Sequence, residues 1–439
     1  MIHKFKQGGF YFIIDVYSGA VHVVDELSYK ICDYVENENP PALSLEEKEC
    51  YDELIKLKRD GLLFSEDSYA PFADKIGPAP IKSMCLNIAH DCNLRCEYCF
   101  AAKGDFGRGR CLMSEGVALS AIDFLIANSG SRHNLELDFF GGEPLMNFDT
   151  VKKTVEYARS IEKKHNKNFR FTITTNGLNL NDEIIEFINR EMSNVVLSLD
   201  GRREVNDRMR MTAGGKGSYD AIVPKFQKLV AGRGDKDYYV RGTFTALNKD
   251  FTEDVLSMYD LGFKNISVEP AVSDENLPFS IRENDIPEIL SEYEKLADKL
   301  IEIKKKGEKI TFFHFMLDLS AGPCVYKRLR GCSCGNEYVA VTPEGDIYPC
   351  HQFVGMDDYK MGNLLDGTFN NDLKDKFASI NVYKKPECRE CWAKFYCSGG
   401  CSANNLQYAK DILKPHKISC QLEKKRVECA IYMQAALAE

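Results

Sequence analysis

Between residues 83 and 306, short apolar runs alternate with longer stretches in which apolar residues recur every three or four positions. The runs at 83–89, 135–140, 170–175, 194–199, 238–246 and 265–269 have the length of strands. Each is followed by a helical period, at 114–128, 148–164, 181–190, 218–231, 251–261 and 285–305. Six such units predict an α/β fold whose parallel sheet curls into a partial (β/α)6, TIM-like barrel over residues 83–310. In barrels of this type the working residues lie in loops at the C-terminal ends of the strands.

The flanks read differently. Residues 1–75 predict two strands, Phe10–Asp15 and Ala20–Val24, joined through a Ser18-Gly19 turn. Helices at 25–37 and 45–60 follow, and the apolar piece Gly61–Phe64 closes the unit. The proline-bearing segment from Tyr69 to Pro80 reads as a linker, with 76–82 as its core. From 320 to 439 the chain is rich in turns and cysteine, and only short elements are expected. Metal binding would there supply folding free energy that packing does not.

Composition narrows the classes. A chain of 439 residues with 44% hydrophobic content buries a substantial core. Its net charge of -9, with no long basic stretch, argues against nucleic acid or an anionic membrane as partner. No apolar stretch approaches the length of a membrane span, and the first residues lead into no signal-peptide core, so a cytoplasmic protein is expected. Seventeen cysteines are too many for disulfides in that compartment and point to metal ligation.

The most specific motif is His90-Asp-Cys-Asn-Leu-Arg-Cys-Glu-Tyr-Cys-Phe100. A CxxxCxxC loop gives three corners of an iron–sulfur cube and leaves the fourth iron open for a cofactor. Three zinc ligands awaiting a fourth is the alternative, but zinc gives no reason for Tyr98 and Phe100 around the last cysteine. With these aromatics the motif resembles the signature of the radical S-adenosylmethionine (SAM) superfamily. The resemblance implies a [4Fe–4S] cluster on Cys92, Cys96 and Cys99, which also makes these the catalytic cysteines. The methionine part of SAM would occupy the open iron. Gly141-Gly142-Glu143-Pro144, one strand–helix unit later, then becomes a SAM contact, although alone it is an ordinary strand-ending loop. Tyr98 is expected on the adenine, with a plain core aromatic as the alternative. Ser198 and Asp200 are candidate acceptors for ribose or substrate, and Arg210 a candidate partner of the SAM carboxylate. Helix capping or a surface ion pair would explain these three equally well. Asn176, in Thr175-Asn176-Gly177, joins them as a cofactor candidate or a simple turn.

A second cysteine field contains Cys388-x2-Cys391-x5-Cys397-x3-Cys401, with Gly345-x4-Cys350 upstream and Cys420 downstream. It resembles the SPASM domain appended to some radical SAM enzymes, which holds two auxiliary [4Fe–4S] clusters. The resemblance assigns Cys388, Cys391, Cys397 and Cys420 to one cluster. Cys350, Cys401 and Cys334 go to the other, with Cys332 or Cys324 completing it. If neither does, the open iron would take a substrate thiolate, which makes Cys350 a further catalytic candidate. His351, beside Cys350, stands where formylglycine-forming relatives are expected to place an aspartate.

The N-terminal unit is similar to the winged-helix-like domains that recognise precursor peptides. Together, the three parts resemble radical SAM/SPASM maturases of six-cysteine (SCIFF) precursors, of the sactisynthase or ranthipeptide synthase type. Such enzymes form thioether links from a cysteine sulfur to a carbon. The resemblance implies three [4Fe–4S] clusters, SAM, a leader peptide docked on the N-terminal domain, and a low-potential donor such as flavodoxin or ferredoxin. An anaerobic sulfatase-type maturase is the alternative enzyme; an iron–sulfur electron carrier or zinc scaffold is the non-enzymatic one.

Overall fold

The computed structural model describes residues 1–319 and 325–438. Three antiparallel strands open the chain: β1 (Ile2–Gln7), β2 (Phe10–Asp15) and β3 (Val21–Val24). The sequence pattern did not predict β1. Its signal is the Gly8-Gly9 turn, where both residues have positive φ (58° and 86°), as a two-residue hairpin requires. Two helices follow, α1 (Glu26–Ile31), capped by Asp25, and α2 (Leu45–Arg59), which begins with a Ser44/Glu47 capping box. Gly61–Phe64 forms no strand.

The expected linker is strapped down. Asp67 accepts hydrogen bonds from the Tyr383 hydroxyl at 2.7 and 2.8 Å, Asn381 donates to the Ala73 carbonyl at 3.2 Å, and Ile76 and Ile81 are buried. Proline content marked the segment as extended but carried no information about these distant partners.

Six parallel strands form the central sheet: β4 (Ser83–His90), β5 (Asn134–Gly141), β6 (Asn168–Thr175), β7 (Met192–Ser198), β8 (Asp237–Phe244) and β9 (Asn265–Pro270). They neighbour one another in sequence order, as right-handed strand–helix–strand units dictate. Their helices are α3 (Glu115–Asn128), α4 (Phe148–Glu162), α5 (Asp182–Glu191), α6 (Tyr219–Ala231), α7 (Phe251–Asp260) and α8 (Ile286–Lys305). The sheet stays open. Thr311–Phe312 extends it beside β9, and β10 (Tyr338–Val341) pairs in parallel with β4 and leads into short antiparallel strands. Alternation sorts the two faces: Leu135, Leu137 and Phe139 on β5, and Phe169, Phe171 and Ile173 on β6, are fully buried on the side that packs against helices. Asp138, Phe140, Thr172 and Thr174 face the lumen.

The expectation of only short elements after 320 is overturned by α9 (Lys417–Ala438), 22 residues long and packed along α8. Its amphipathic period is blurred because it is buried on several sides. Arg426 reaches β9, Lys425 pairs with Glu294 of α8, Glu428 bonds His3 of β1, and Tyr432 lies against Gly8. No described helix is long and apolar enough to cross a membrane.

Candidate active site

The strand ends surround a cavity of about 830 Å³. Cys92, Cys96, Cys99 and Tyr98 line it, as do Gly141, Gly142, Glu143, Asn176, Ser198 and Arg210. Pro144 and Asp200 do not; both are buried behind the wall.

Backbone bonds hold the cysteine loop in place. Arg95 N donates to the Met211 carbonyl at 2.8 Å and Glu97 N to the Met209 carbonyl at 3.0 Å, so the loop is clipped to the segment that carries Arg210. On its other side Gly142 N donates to Ala89 O (2.7 Å) and Glu143 N to Asp91 O (2.9 Å). The two glycines permit this contact. A Cβ on Gly141 would stand 2.4 Å from Ala89 O, and one on Gly142 2.2 Å from Asp91 O. Their freedom is therefore spent on the cysteine loop's own backbone, where the sequence had suggested a close approach to a cofactor. Gly142→Ala is expected to destabilise the fold by about 1–3 kcal/mol and to lower reconstituted iron. Denaturant unfolding and iron analysis would check this against Gly77→Ala, whose Cβ meets nothing within 4 Å.

Glu143 is buried and tied to the next strand end. It accepts from Leu145 N (3.0 Å), the Thr175 hydroxyl (2.8 Å) and Asn176 N (2.7 Å). Burial nevertheless pushes its carboxyl up to about 7. Asn176 donates through Nδ2 to Asn93 at 2.8 Å and lies 3.6 Å from Cys92 Sγ, so it braces the loop as well as lining the cavity.

Asp200 has a different role from the one the sequence suggested. Its carboxylate accepts from the Tyr98 hydroxyl at 2.6 Å and from Thr243 N at 2.8 Å, and lies 3.0 Å from Arg210 Nε. It is a buried post that fixes Tyr98 and Arg210, not a group facing ligand. Arg210 already has a carboxylate partner, although Nε is not aligned to hydrogen-bond it and remains without an acceptor.

The second cysteine field forms two groups. Cys334 feels the charges of Cys332, Cys350 and Cys401, whereas Cys420 feels Cys388 and Cys391, and Cys397 feels Cys420 and Cys388. Ser333, between Cys332 and Cys334, has φ 53°. Cys332 and Cys334 share a hydrogen bond that lowers the first thiol and raises the second. Cys324 lies outside the described residues. Lys385 is buried, donates to the Gly399 carbonyl at 2.6 Å, and bears on Cys332, Cys388 and Cys401, a cation close to both groups. Of this field Cys397, Cys401 and Cys420 line the cavity, and Cys332, Cys334, Cys350, Cys388 and Cys391 are not among its lining residues.

The donor set, cysteine throughout, fits iron–sulfur clusters. A cube takes one thiolate per iron, so its ligands stand apart.

Two further groups line the cavity. His351 faces the cavity, with ring centroids 5.4 Å from Phe100 and 4.8 Å from Phe140. Burial, then Arg241, lowers it to about 4, so its imidazole is neutral near pH 7. At the end of β9, Glu269 lies 3.2 Å from Arg426, 3.4 Å from His314 and 3.8 Å from Arg241. Burial alone would raise its carboxyl, but these neighbours hold it at about 2. His314 is itself held at about 3 by burial and Arg426, so the two guanidiniums carry the opposing charge near neutrality.

Residues 86–263 match the radical SAM superfamily, and residues 332–392 match SPASM, an iron–sulfur cluster-binding domain. The chain carries a radical SAM domain and a SPASM domain. SAM and iron–sulfur clusters are accordingly its cofactors. The chain is similar to a cysteine-type anaerobic sulfatase-maturating enzyme of Clostridium novyi, 26% identical over 337 residues (72% of this chain, 86% of the relative). It is also similar to the radical SAM cyclopropyl synthase TigE of Paramaledivibacter caminithermalis, 24% identical over 366 residues (78% and 72%). The fold superposes on anSMEcpe with bound AdoMet at TM-score 0.67 and 20% identity, covering 82% of this chain and 99% of that one. Streptococcus suis SuiB bound to S-adenosylmethionine gives TM-score 0.56 at 16% identity, but covers 95% of this chain and 98% of its own.

Proposed function

We propose that this protein forms intramolecular thioether links, cysteine sulfur to carbon, in a cysteine-rich ribosomal precursor peptide of the six-cysteine class. The observation that carries this reading is the shared cavity. Cys92, Cys96 and Cys99 line it together with Cys397, Cys401 and Cys420. A peptide carbon and a peptide sulfur can therefore be held in one compartment between two cysteine groups. His351 supports the reading, since a formylglycine-forming site is expected to present an acid there.

Cys92, Cys96 and Cys99 would hold the SAM-binding cluster, and Glu143, Ser198 and Arg210 would line the SAM site. Cys332, Cys334, Cys350 and Cys401 would hold one auxiliary cluster, and Cys388, Cys391, Cys397 and Cys420 the other. When bound, cluster and SAM supply a 5′-deoxyadenosyl radical for hydrogen abstraction. The residues behind the wall do the positioning: Asp200 fixes Tyr98 and Arg210, and Glu143 ties the GGEP loop to β6. The leader would add to β3, an edge strand with no strand partner on its far side among the described residues. In support, the match to SuiB bound to its precursor peptide SuiA covers 95% of this chain, against 82% for anSMEcpe.

Incubation with reductant, SAM and precursor peptide should give a product lighter by two hydrogens, with one fewer alkylatable cysteine per link. Loss of sulfur from cysteine would instead support the sulfatase-type reading, which the Clostridium novyi relative keeps in view. Three cubes require about twelve irons per chain, and a preparation with about four irons plus zinc would sink the auxiliary assignment.

A further inference from the structure

Closed eight-stranded barrels usually fill their interior with layers of branched apolar side chains. In this open sheet a row across four of the six strands is polar. Cys85 stands in register with Asp138, Asp138 with Thr172, and Thr172 with Asn194, so four neighbouring strands present one continuous row. All four residues line the cavity. Asp138 lies three residues before Gly141 and Asn194 four before Ser198, roughly 10–13 Å from the strand ends toward the floor at the rise of a β-strand.

The row presents two acceptors with spare capacity, one of them without any donor. Asp138 takes a hydrogen bond from Thr172, but the charge bearing on it is Glu136, of its own sign. Burial, then Glu136, pushes its carboxyl up to about 7. Asn194 Oδ1 is buried and has no hydrogen-bond partner. Arg210 and Glu143, by contrast, lie at the strand ends with partners of their own. In the free protein, water can satisfy the floor. A side chain that displaces this water without replacing its hydrogen bonds leaves Asn194 Oδ1 unpaired and Asp138 with Thr172 alone.

We propose that this row seats the peptide residue whose carbon is attacked, and that it selects a side chain carrying hydrogen-bond donors (hydroxyl, carboxamide or ammonium) over an aliphatic or aromatic one. The proposal rests on the peptide-modifying reading above and adds its specificity. A site built to hydrogen-bond its substrate rejects an analogue that lacks the group far more strongly than an apolar pocket rejects an extra polar one.

The test uses leader-fused peptides with one cysteine and one variable residue deuterated at its side-chain and α carbons. The fraction of 5′-deoxyadenosine that carries deuterium is read by mass spectrometry. Serine, threonine, asparagine and lysine should deliver deuterium at least about tenfold more often than valine, leucine or phenylalanine, the worth of one hydrogen bond to a charged group. Asp138→Leu should lower that fraction for the donor-bearing residues by about tenfold or more, and Asn194→Leu should act in the same direction. Should Asp138→Leu fail to fold, as judged by circular dichroism and iron content, Asp138→Asn and Asn194→Leu carry the test. Equal transfer from valine or leucine, indifference to both variants, or no transfer from any residue would overturn the proposal. Deuterium transfer without a product lighter by two hydrogens would defeat the thioether reading and leave the pocket standing.

Discussion

Cys96→Ala is expected to abolish reductive cleavage of SAM. Mutating a group behind a metal ligand typically costs ~10–100-fold, and removing a ligand from a three-thiolate loop should cost more than that. The variant should lose about four irons per chain and form no 5′-deoxyadenosine above background. Cys111→Ser is the control, because Cys111 neither belongs to a motif nor lines the cavity. The fold should survive in Cys96→Ala, since the loop and the strand end before it are clipped by backbone bonds to Met209, Met211, Gly142 and Glu143 that the thiol does not make. If iron and 5′-deoxyadenosine both persist, the cluster lies elsewhere.

Glu269→Ala should produce the largest loss of stability of the substitutions considered, about 3 kcal/mol by denaturant unfolding. Removing one partner of a largely buried pair leaves the other charge unpaired at a typical cost of about 3–5 kcal/mol, and the cavity side of this carboxylate lowers the figure through solvent screening. Arg426 would keep Glu423 at 3.4 Å and the Tyr293 hydroxyl at 2.9 Å, whereas half-exposed Arg241 can turn to water. The double variant Glu269→Leu/Arg426→Met should recover more than half of the loss, because it removes both charges together. A double variant as unstable as the single one would show that the pair is not the source of the stability.

Much of the barrel was legible because each strand and helix there repeats one simple pattern: the six strands and their helices lie within two residues of their predicted ends. β1 was not legible, because His3, Lys4 and Lys6 dilute its apolar signal and only Gly8-Gly9 announces a hairpin. α9 was missed because contacts on several sides erase a single apolar stripe. In the site, spacing located the cysteine loop, the GGEP turn and Asp200. It could not say that Asp200 points behind the wall, since one residue's difference along a strand end decides between lumen and core. Glu269 and Arg426 are 157 positions apart, and nothing local in either segment announces the other. Asp138, Thr172 and Asn194 were visible as polar residues inside strand runs, but only the register between strands shows that they stand side by side.

The packing of Gly8 against Tyr432, with His3 bonded to Glu428, sets an order of events during synthesis. The hairpin of β1 and β2 emerges from the ribosome well before α9, yet α9 supplies the surface that covers it. Contacts separated by more than 400 residues close only after the segment between them has been made. Until then β1 is an unseated strand, and a nascent chain stalled before α9 should expose that hairpin to chaperones or to pairing with its neighbours.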